Sequence, residues 1–175
     1  MSLEDLKIEP VAKTETESLR TISIETFTET FANQNTESDL QKYVSENLSL
    51  KQLSKELNSK DSEFYFLKLN EEIVGYLKLN KGESQTEIKN KNSIEIERIY
   101  VKQEFHGKQF GKFLLQKAID IAKNYAFQYI WLAVWERNLK AIAFYTKHGF
   151  VEFDKHTFLL GNDAQIDIMM KLELN

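Results

Sequence analysis

The sequence contains no cysteine, one proline and six glycines among 175 residues. Without cysteine there is no disulfide framework, no thiolate nucleophile and no Cys-based zinc or iron–sulfur centre. The three histidines, His106, His148 and His156, lack the close spacing of a metal site, so no metal is expected. No apolar run reaches the ~18 residues that a membrane span requires, and the mean hydropathy is −0.46. Positive charge is in the minority, with 23 Lys and Arg against 27 Asp and Glu and a net charge of −4. A nucleic-acid binder draws much of its affinity from a basic face, so this balance argues against nucleic acid and suits a cationic ligand. The opening MSLEDLKIEPV has no basic segment followed by an apolar run, which makes the cytoplasm the expected address. No repeat, low-complexity tract or proline-rich linker divides the chain, and residues 1–175 are expected to form one domain.

What is present is a change of pattern along the chain. Residues 7–12 read as a short strand. Thr14-x-x-Glu17, Ser38-x-x-Gln41 and Ser49-x-x-Gln52 read as helix starts, each pairing a hydroxyl with a carboxylate or amide three residues on. Leu19, Ile22, Phe27 and Phe31, then Leu40, Tyr43 and Val44, then Leu53 and Leu57 follow at helical spacing. From Glu63 the pattern turns to strands. Residues 64–69 and 73–79 flank Asn70-Glu71-Glu72 as a hairpin, and residues 81–93 read as a long solvated loop. Residues 94–101 form a third strand, with Ile94, Ile96, Arg98 and Tyr100 expected on one face and Glu95, Glu97, Ile99 and Val101 on the other. A helix is expected over 109–125 with Phe110, Leu114, Ala118, Ile121, Ala122 and Tyr125 buried. A strand over 129–135, a short helix over 139–148 closed by Gly149, and strands over 150–153 and 166–172 complete the chain. Interleaved strands and helices in this order give an α/β class with a mixed sheet of six to seven strands and about four helices.

The stretch EIERIYVKQEFHGKQFGK, Glu95–Lys112, carries the clearest chemistry. A strand runs through a glycine- and lysine-bearing loop into the start of a long helix, where free N–H groups and the dipole favour an anion. Gly107 and Gly111 allow close approach of the main chain, and Lys108 and Lys112 add positive charge, so a phosphate or pyrophosphate fits. A plain connector has the same look. Glu95 and Glu97 alternate along the strand and share a face. They suit holding a cation, and one suits a base, or both are solvent-facing carboxylates on a half-exposed strand.

This stretch resembles the acyl-CoA-binding loop of the GNAT N-acetyltransferases, and WERNLKAIAFYTKHGF, Trp135–Phe150, is similar to their later motif, in which an Asn opens a helix bearing a Tyr. TFANQNTESDLQKY, SEFYFLKLNEEIVGYLKLN, WLAVWERN and HTFLLGNDAQIDIMMK extend the likeness to the bacterial polyamine (spermidine/spermine) N-acetyltransferases called PaiA. The resemblance implies the GNAT acetyltransferase fold, acetyl-CoA as co-substrate, and acetyl transfer to a primary amine by direct attack. The family's base falls near Glu95, with Glu97 nearly as good on parity, and its general acid falls on Tyr145, which also reads as a core tyrosine. Acetyl-CoA contacts are implied for Ile99, Tyr100 and Val101, where the strand parts from its neighbour, and for His106, Gly107, Lys108, Gln109, Phe110, Gly111 and Lys112. Asn138 is implied to bond the CoA arm and Lys147 to reach a phosphate, although a helix cap and a dipole partner explain them equally. Two departures stand in the loop: His106 replaces the pattern's Gln or Arg, and Gln109 replaces its first glycine. A Cβ at 109 disfavours a left-handed turn, so weaker or shifted phosphate binding is expected.

The acceptor implied is a cationic amine, with Glu37, Ser38, Asp39 and Tyr43 at its lip and Asp163, Gln165 and Asp167 able to meet an outer ammonium; a turn and a solvated strand explain the last three equally. Trp131 and Trp135 read as core, with Trp135 also suited to a cation–π contact. Rival readings are another amine (an amino acid, a protein N-terminus, an aminoglycoside) or a non-catalytic acetyl-CoA or polyamine sensor. The resemblance allows a homodimer, which no apolar stripe compels.

Overall fold

The apolar stripes read from the sequence meet in two cores, one on each face of a seven-stranded sheet. The structure is a computed structural model describing residues 6–160 and 163–174. Its strands are β1 (Leu6–Pro10), β2 (Ser62–Leu69), β3 (Glu72–Lys81), β4 (Ser93–Val101), β5 (Tyr129–Trp135), β6 (Val151–Leu160) and β7 (Asp163–Glu173). The helices are α1 (Thr16–Phe31), α2 (Glu37–Asn47), α3 (Leu50–Leu57), α4 (Phe110–Asn124) and α5 (Leu139–Lys147), so there are five where about four were expected. The sheet order is β1-β2-β3-β4-β5-β7-β6. Only β4 and β5 pair in parallel, joined by the crossover through α4. This is the α/β class with a mixed sheet expected from the sequence.

Leu77, Leu79, Ile94, Ile96, Ile130, Leu132 and Val134 pack with Phe110, Leu114, Leu115, Ala118, Ile121 and Ala122 of α4. The opposite face carries Phe64, Phe66 and Tyr76 beneath Leu19, Ile22 and Phe27 of α1 and Leu53 of α3. Tyr125 departs from the expected stripe: it is 51% exposed, and its hydroxyl donates to Glu63 Oε1 at 2.7 Å. No helix among the described residues is long and apolar enough to cross a membrane.

The hairpin between β2 and β3 turns on Asn70 and Glu71, both at positive φ (47° and 67°), the twist that two-residue hairpins require. Ser49 caps α3 as expected, accepting from the Gln52 N–H at 3.2 Å. The other two helix starts are corrected. Thr36, two residues before Ser38, caps α2: it accepts from the Asp39 N–H and donates to Asp39 Oδ2 at 2.7 Å. Thr14 lies inside a 3-10 turn, where Glu15 reaches back to the Ala12 N–H at 2.8 Å and α1 begins at Thr16. Strand β6 runs to Leu160, well past the expected 153, because the polar run after Phe153 is the outward edge of a sheet rather than a loop.

Two corrections shape the site. Residues 81–93 are not solvated throughout: Gln85 is buried and accepts from Trp131 Nε1 at 2.8 Å. The alternation expected along β4 also breaks. Arg98 pairs with Lys78 but Ile96 pairs with Leu79, leaving Glu97 as an extra residue. That bulge turns Arg98 and Tyr100 to the face of Glu95, and turns Ile99 and Val101 to the α4 core.

Candidate active site

Strand β4 is held on both sides only at its start. Its pairing with β5 stops at Ile96–Leu132, so Glu97–Val101 have no strand neighbour on that side. Lys102 donates to Val74 O at 2.9 Å. By strand alternation the Tyr100 amide therefore faces β3, while the Ile99 and Val101 amides face the gap. The Val101 carbonyl is taken by His106 Nε2 at 2.8 Å, which folds the following loop back beside the gap. Gly75 opposite Val101 permits the close approach of β3, since a Cβ there would meet the Tyr100 oxygen at 2.5 Å.

The loop then opens α4. Gly107 has φ +78°, and Gln109 adopts the left-handed region (φ 65°, ψ 8°) despite its Cβ. The left-handed turn that a Cβ at 109 disfavours is therefore adopted, with the strain of a non-glycine residue carried by the loop. No side chain caps α4. The Phe113 N–H closes onto Gln109 O at 3.1 Å, and no acceptor among the described residues meets the N–H groups of Gly107, Lys108, Gln109, Phe110, Gly111 or Lys112. Six main-chain donors beside a helix start, with exposed Lys108 and Lys112, are an arrangement that suits an anion. Gly111 sits 3.8 Å from Phe144 Cζ measured from an ideal Cβ, which brings α5 against this loop.

The carboxylates lie on the other face, in a network that sequence reading did not anticipate. Both Glu95 and Glu97 are screened from solvent, so the solvated-face reading is set aside. Glu95 is 2% exposed and accepts from the Thr86 N–H at 2.8 Å, the Thr86 hydroxyl and Asn80 Nδ2 at 3.2 Å. Burial and the neighbouring Glu97 charge push its carboxyl up to about 7. Glu97 pairs with Lys78 and with Arg98 at 3.2 Å, and accepts from Asn80. Burial opposes its ionisation, but Arg98 and Lys78 more than offset that and hold it below the usual carboxylate range. Glu56 of α3 closes the ring at 3.0 Å from both Lys78 and Arg98. Two anions and two cations therefore balance beside Glu95. The available signal was Lys78 and Asn80, polar residues at alternate positions of an otherwise apolar strand; nothing in the sequence marked Glu56 or Thr86.

Tyr145 is buried against Phe144 and Phe150, and its hydroxyl has no hydrogen-bond partner among the described residues. Burial lifts its phenol well above the ordinary tyrosine range. It also lies near enough to Tyr100 to raise that phenol further. Asn138 caps α5, its Oδ1 accepting from the Ala141 N–H at 3.2 Å, and its amide hydrogens meet no acceptor among the described residues. Lys147 is exposed in the last turn of α5, and Gly149 follows at φ +88°. Trp131 is wholly buried, whereas Trp135 lies tilted against Phe31 with Arg137 over its ring at 6.0 Å. Glu37 and Asp39 stand in the first turn of α2.

A family model described as Acetyltransferase (GNAT) family matches residues 17–150. An uncharacterized N-acetyltransferase from the pepI 3' region of Lactobacillus delbrueckii subsp. lactis is 36% identical over 169 residues, covering 97% of this chain and 98% of its own. Among solved structures, the PaiA N-acetyltransferase of Thermoplasma acidophilum in complex with coenzyme A superposes with a TM-score of 0.81 at 24% identity, over 99% of this chain and 100% of that one. The ribosomal-protein-S18-alanine N-acetyltransferase of Escherichia coli superposes with a TM-score of 0.71 at 16% identity, over 96% and 93% of the two chains. These last two likenesses are of fold.

Proposed function

The chain belongs to the GNAT acetyltransferase family and is an acetyl-CoA-dependent N-acetyltransferase, and from that premise we propose that its acceptor is a primary amine of a polyamine. The observation that carries the acyl-CoA side of the reading is the parting of β4 from β5 beyond Ile96, next to a run of unpartnered amides at 107–112. The solved PaiA N-acetyltransferase holds coenzyme A, and this gap and cradle offer an acyl-CoA what it needs. The 107–112 amides with Lys108, Lys112 and Lys147 meet its phosphates. The Ile99 and Val101 amides meet the thioester and its arm, and the free Asn138 amide hydrogens hold the same arm.

A primary ammonium has a pKa of about 10.4, so stripping its proton at pH 7 costs about 4.6 kcal/mol. Glu95, lifted to about 7, is poised to take that proton through water. Glu97, locked between Lys78 and Arg98, contributes fixed negative charge and orients Asn80 toward Glu95. The neutral nitrogen attacks the thioester carbonyl; the C–N bond forms and the C–S bond breaks. The Tyr145 phenol gives its proton to the departing thiolate, and the second proton released by the acetylated nitrogen restores it. Main-chain amides at Ile99 and Val101 stabilise the oxyanion. Glu95 adds a carboxylate beside a charge-balanced ring, and a net charge of −4 favours a cationic over an anionic acceptor.

The test is thiol release from acetyl-CoA with spermidine, spermine, amino acids, peptide N-termini and an aminoglycoside. Spermidine or spermine should give the highest kcat/KM, and Tyr145→Phe should lower kcat about 100-fold with acetyl-CoA affinity retained. Turnover of peptide N-termini without polyamines, or acetyl-CoA binding without turnover of any amine, overturns the reading.

A further inference from the structure

Buried Glu95 has one exposed residue among its hydrogen-bond partners. Its carboxylate takes two bonds from Thr86, whose N–H meets Oε2 at 2.8 Å and whose hydroxyl meets Oε1. The remaining donor, Asn80 Nδ2, meets Oε2 at 3.2 Å and belongs to a side chain as buried as Glu95 itself. Trp131, opposite Glu95 on β5, is wholly buried. Thr86 is the exposed member of this set, so the way from the carboxylate to water leads past its side chain.

The neighbours of Thr86 hold it in place. Gln85 is buried, with Oε1 accepting from Trp131 Nε1 at 2.8 Å and from the Ser93 hydroxyl at 2.9 Å, and with Nε2 donating to Asn90 O at 3.0 Å. Ser84, on the other side of Gln85, meets the Ser59 hydroxyl at 3.1 Å. The segment joining β3 to β4 is therefore fastened to β4, to β5 and to the turn before β2, and that fixes where the Thr86 hydroxyl stands. A threonine hydroxyl has one hydrogen to give and two lone pairs to accept with. Its hydrogen goes to Glu95, and no donor among the described residues meets its oxygen. The lone pairs are left for a water.

We propose that Thr86 is the positioning residue of the base: its hydroxyl stands between the buried Glu95 carboxylate and the water that meets the acceptor amine, and protons reach Glu95 through it. The inference rests on Glu95 as the base and deepens that reading. The water takes a proton from the ammonium and yields one to Thr86 Oγ1, whose own hydrogen moves to Glu95 Oε1. An N–H bond is lost, an O–H bond is gained on Glu95, and water and threonine end as they began. The charge that bears on Glu95 is that of Glu97 on its own strand, which Lys78 of β3 and Arg98 of β4 offset, with Glu56 of α3 closing the ring. Glu87, next along the segment, lies against His156 Nδ1 of β6 at 3.3 Å. The donors on Glu95 itself are all neutral. Loss of the Thr86 hydroxyl takes one of them from the ionised carboxylate, so its titration should move up.

The experiment is the pH dependence of kcat/KM for the full chain, with acetyl-CoA and whichever amine of the panel above is turned over fastest. Thr86→Val and Thr86→Ala should each move the ascending limb up by about one pH unit. They should lower the high-pH plateau about tenfold, with calorimetric acetyl-CoA affinity unchanged. Thr86→Ser returns the hydroxyl and should restore both limb and plateau. Glu87→Gln, which removes a negative charge from the same segment, should not raise the limb. A limb that stays at its wild-type position in both Thr86→Val and Thr86→Ala overturns the proposal, as does a limb that Thr86→Ser leaves raised or an equal rise in Glu87→Gln. Failure of the base reading is visible separately, as a limb that survives in Glu95→Gln or a wild type that acetylates no amine, and either result removes the role of Thr86 with it.

Discussion

Glu95 and Glu97 stand two residues apart on one strand and share a face, yet their surroundings drive their carboxyls in opposite directions. Thr86 and Asn80 offer Glu95 only neutral donors, so burial wins and lifts it to about 7; Lys78 and Arg98 give Glu97 two cations and depress it. With Glu95 as base, kcat/KM should rise with pH through an apparent pKa near 7, and Glu95→Gln should remove that limb and lower the rate at least about 100-fold. A limb that survives in Glu95→Gln assigns the base to another group. Stability runs the other way. Between its ordinary 4.5 and about 7 the folded chain keeps a proton that the unfolded chain has released, so stability falls as pH rises across that window. Denaturant titration should show this fall flattened in Glu95→Gln. Parity along the strand was enough to read that both carboxylates share a face. Their division of labour was not legible, because Lys78, Thr86 and Glu56 arrive from other elements.

At the scale of elements, the start of α4 separates folding from binding. Gly111 is in the first turn, with open donors around it and only Phe144 in ordinary contact distance of a Cβ. An aspartate in a first helical turn interacts favourably with the dipole by about 0.3–1 kcal/mol, so Gly111→Asp should keep or slightly raise the melting temperature. The same charge beside the phosphates of acetyl-CoA is repulsive, and binding should weaken roughly 30-fold or more. Calorimetry and a thermal melt on one variant test both signs, and unchanged affinity places the cofactor elsewhere. Helix stripes and hairpin turns were readable because they depend on local periodicity and backbone preference. The bulge at Glu97 was not, since an extra residue in β4 is defined only against its partner Lys78–Leu79 on β3. The extension of β6 was hidden for a related reason: an edge strand buries little, and its polar sequence is the same as a loop's.

At the scale of the molecule, the ring of Glu56, Lys78, Glu97 and Arg98 ties α3 to the centre of the sheet. Removing one anion leaves two cations sharing a single carboxylate in a buried place. Glu56→Gln should therefore cost about 3 kcal/mol and lower Tm by roughly 6–12 °C; a drop below about 2 °C in a circular-dichroism melt would mean that the ring holds nothing together. The amino-acid order by itself determined the α/β class, the helix stripes, the glycine- and lysine-bearing loop and the tyrosine-bearing helix, because each rests on periodicity or on a motif contiguous in the chain. Only the tertiary structure decided which carboxylate is raised and which is locked, and that Thr86, from the segment between β3 and β4, meets Glu95. Those outcomes depend on burial and on charges brought together from distant segments, and neither quantity exists until the chain has folded.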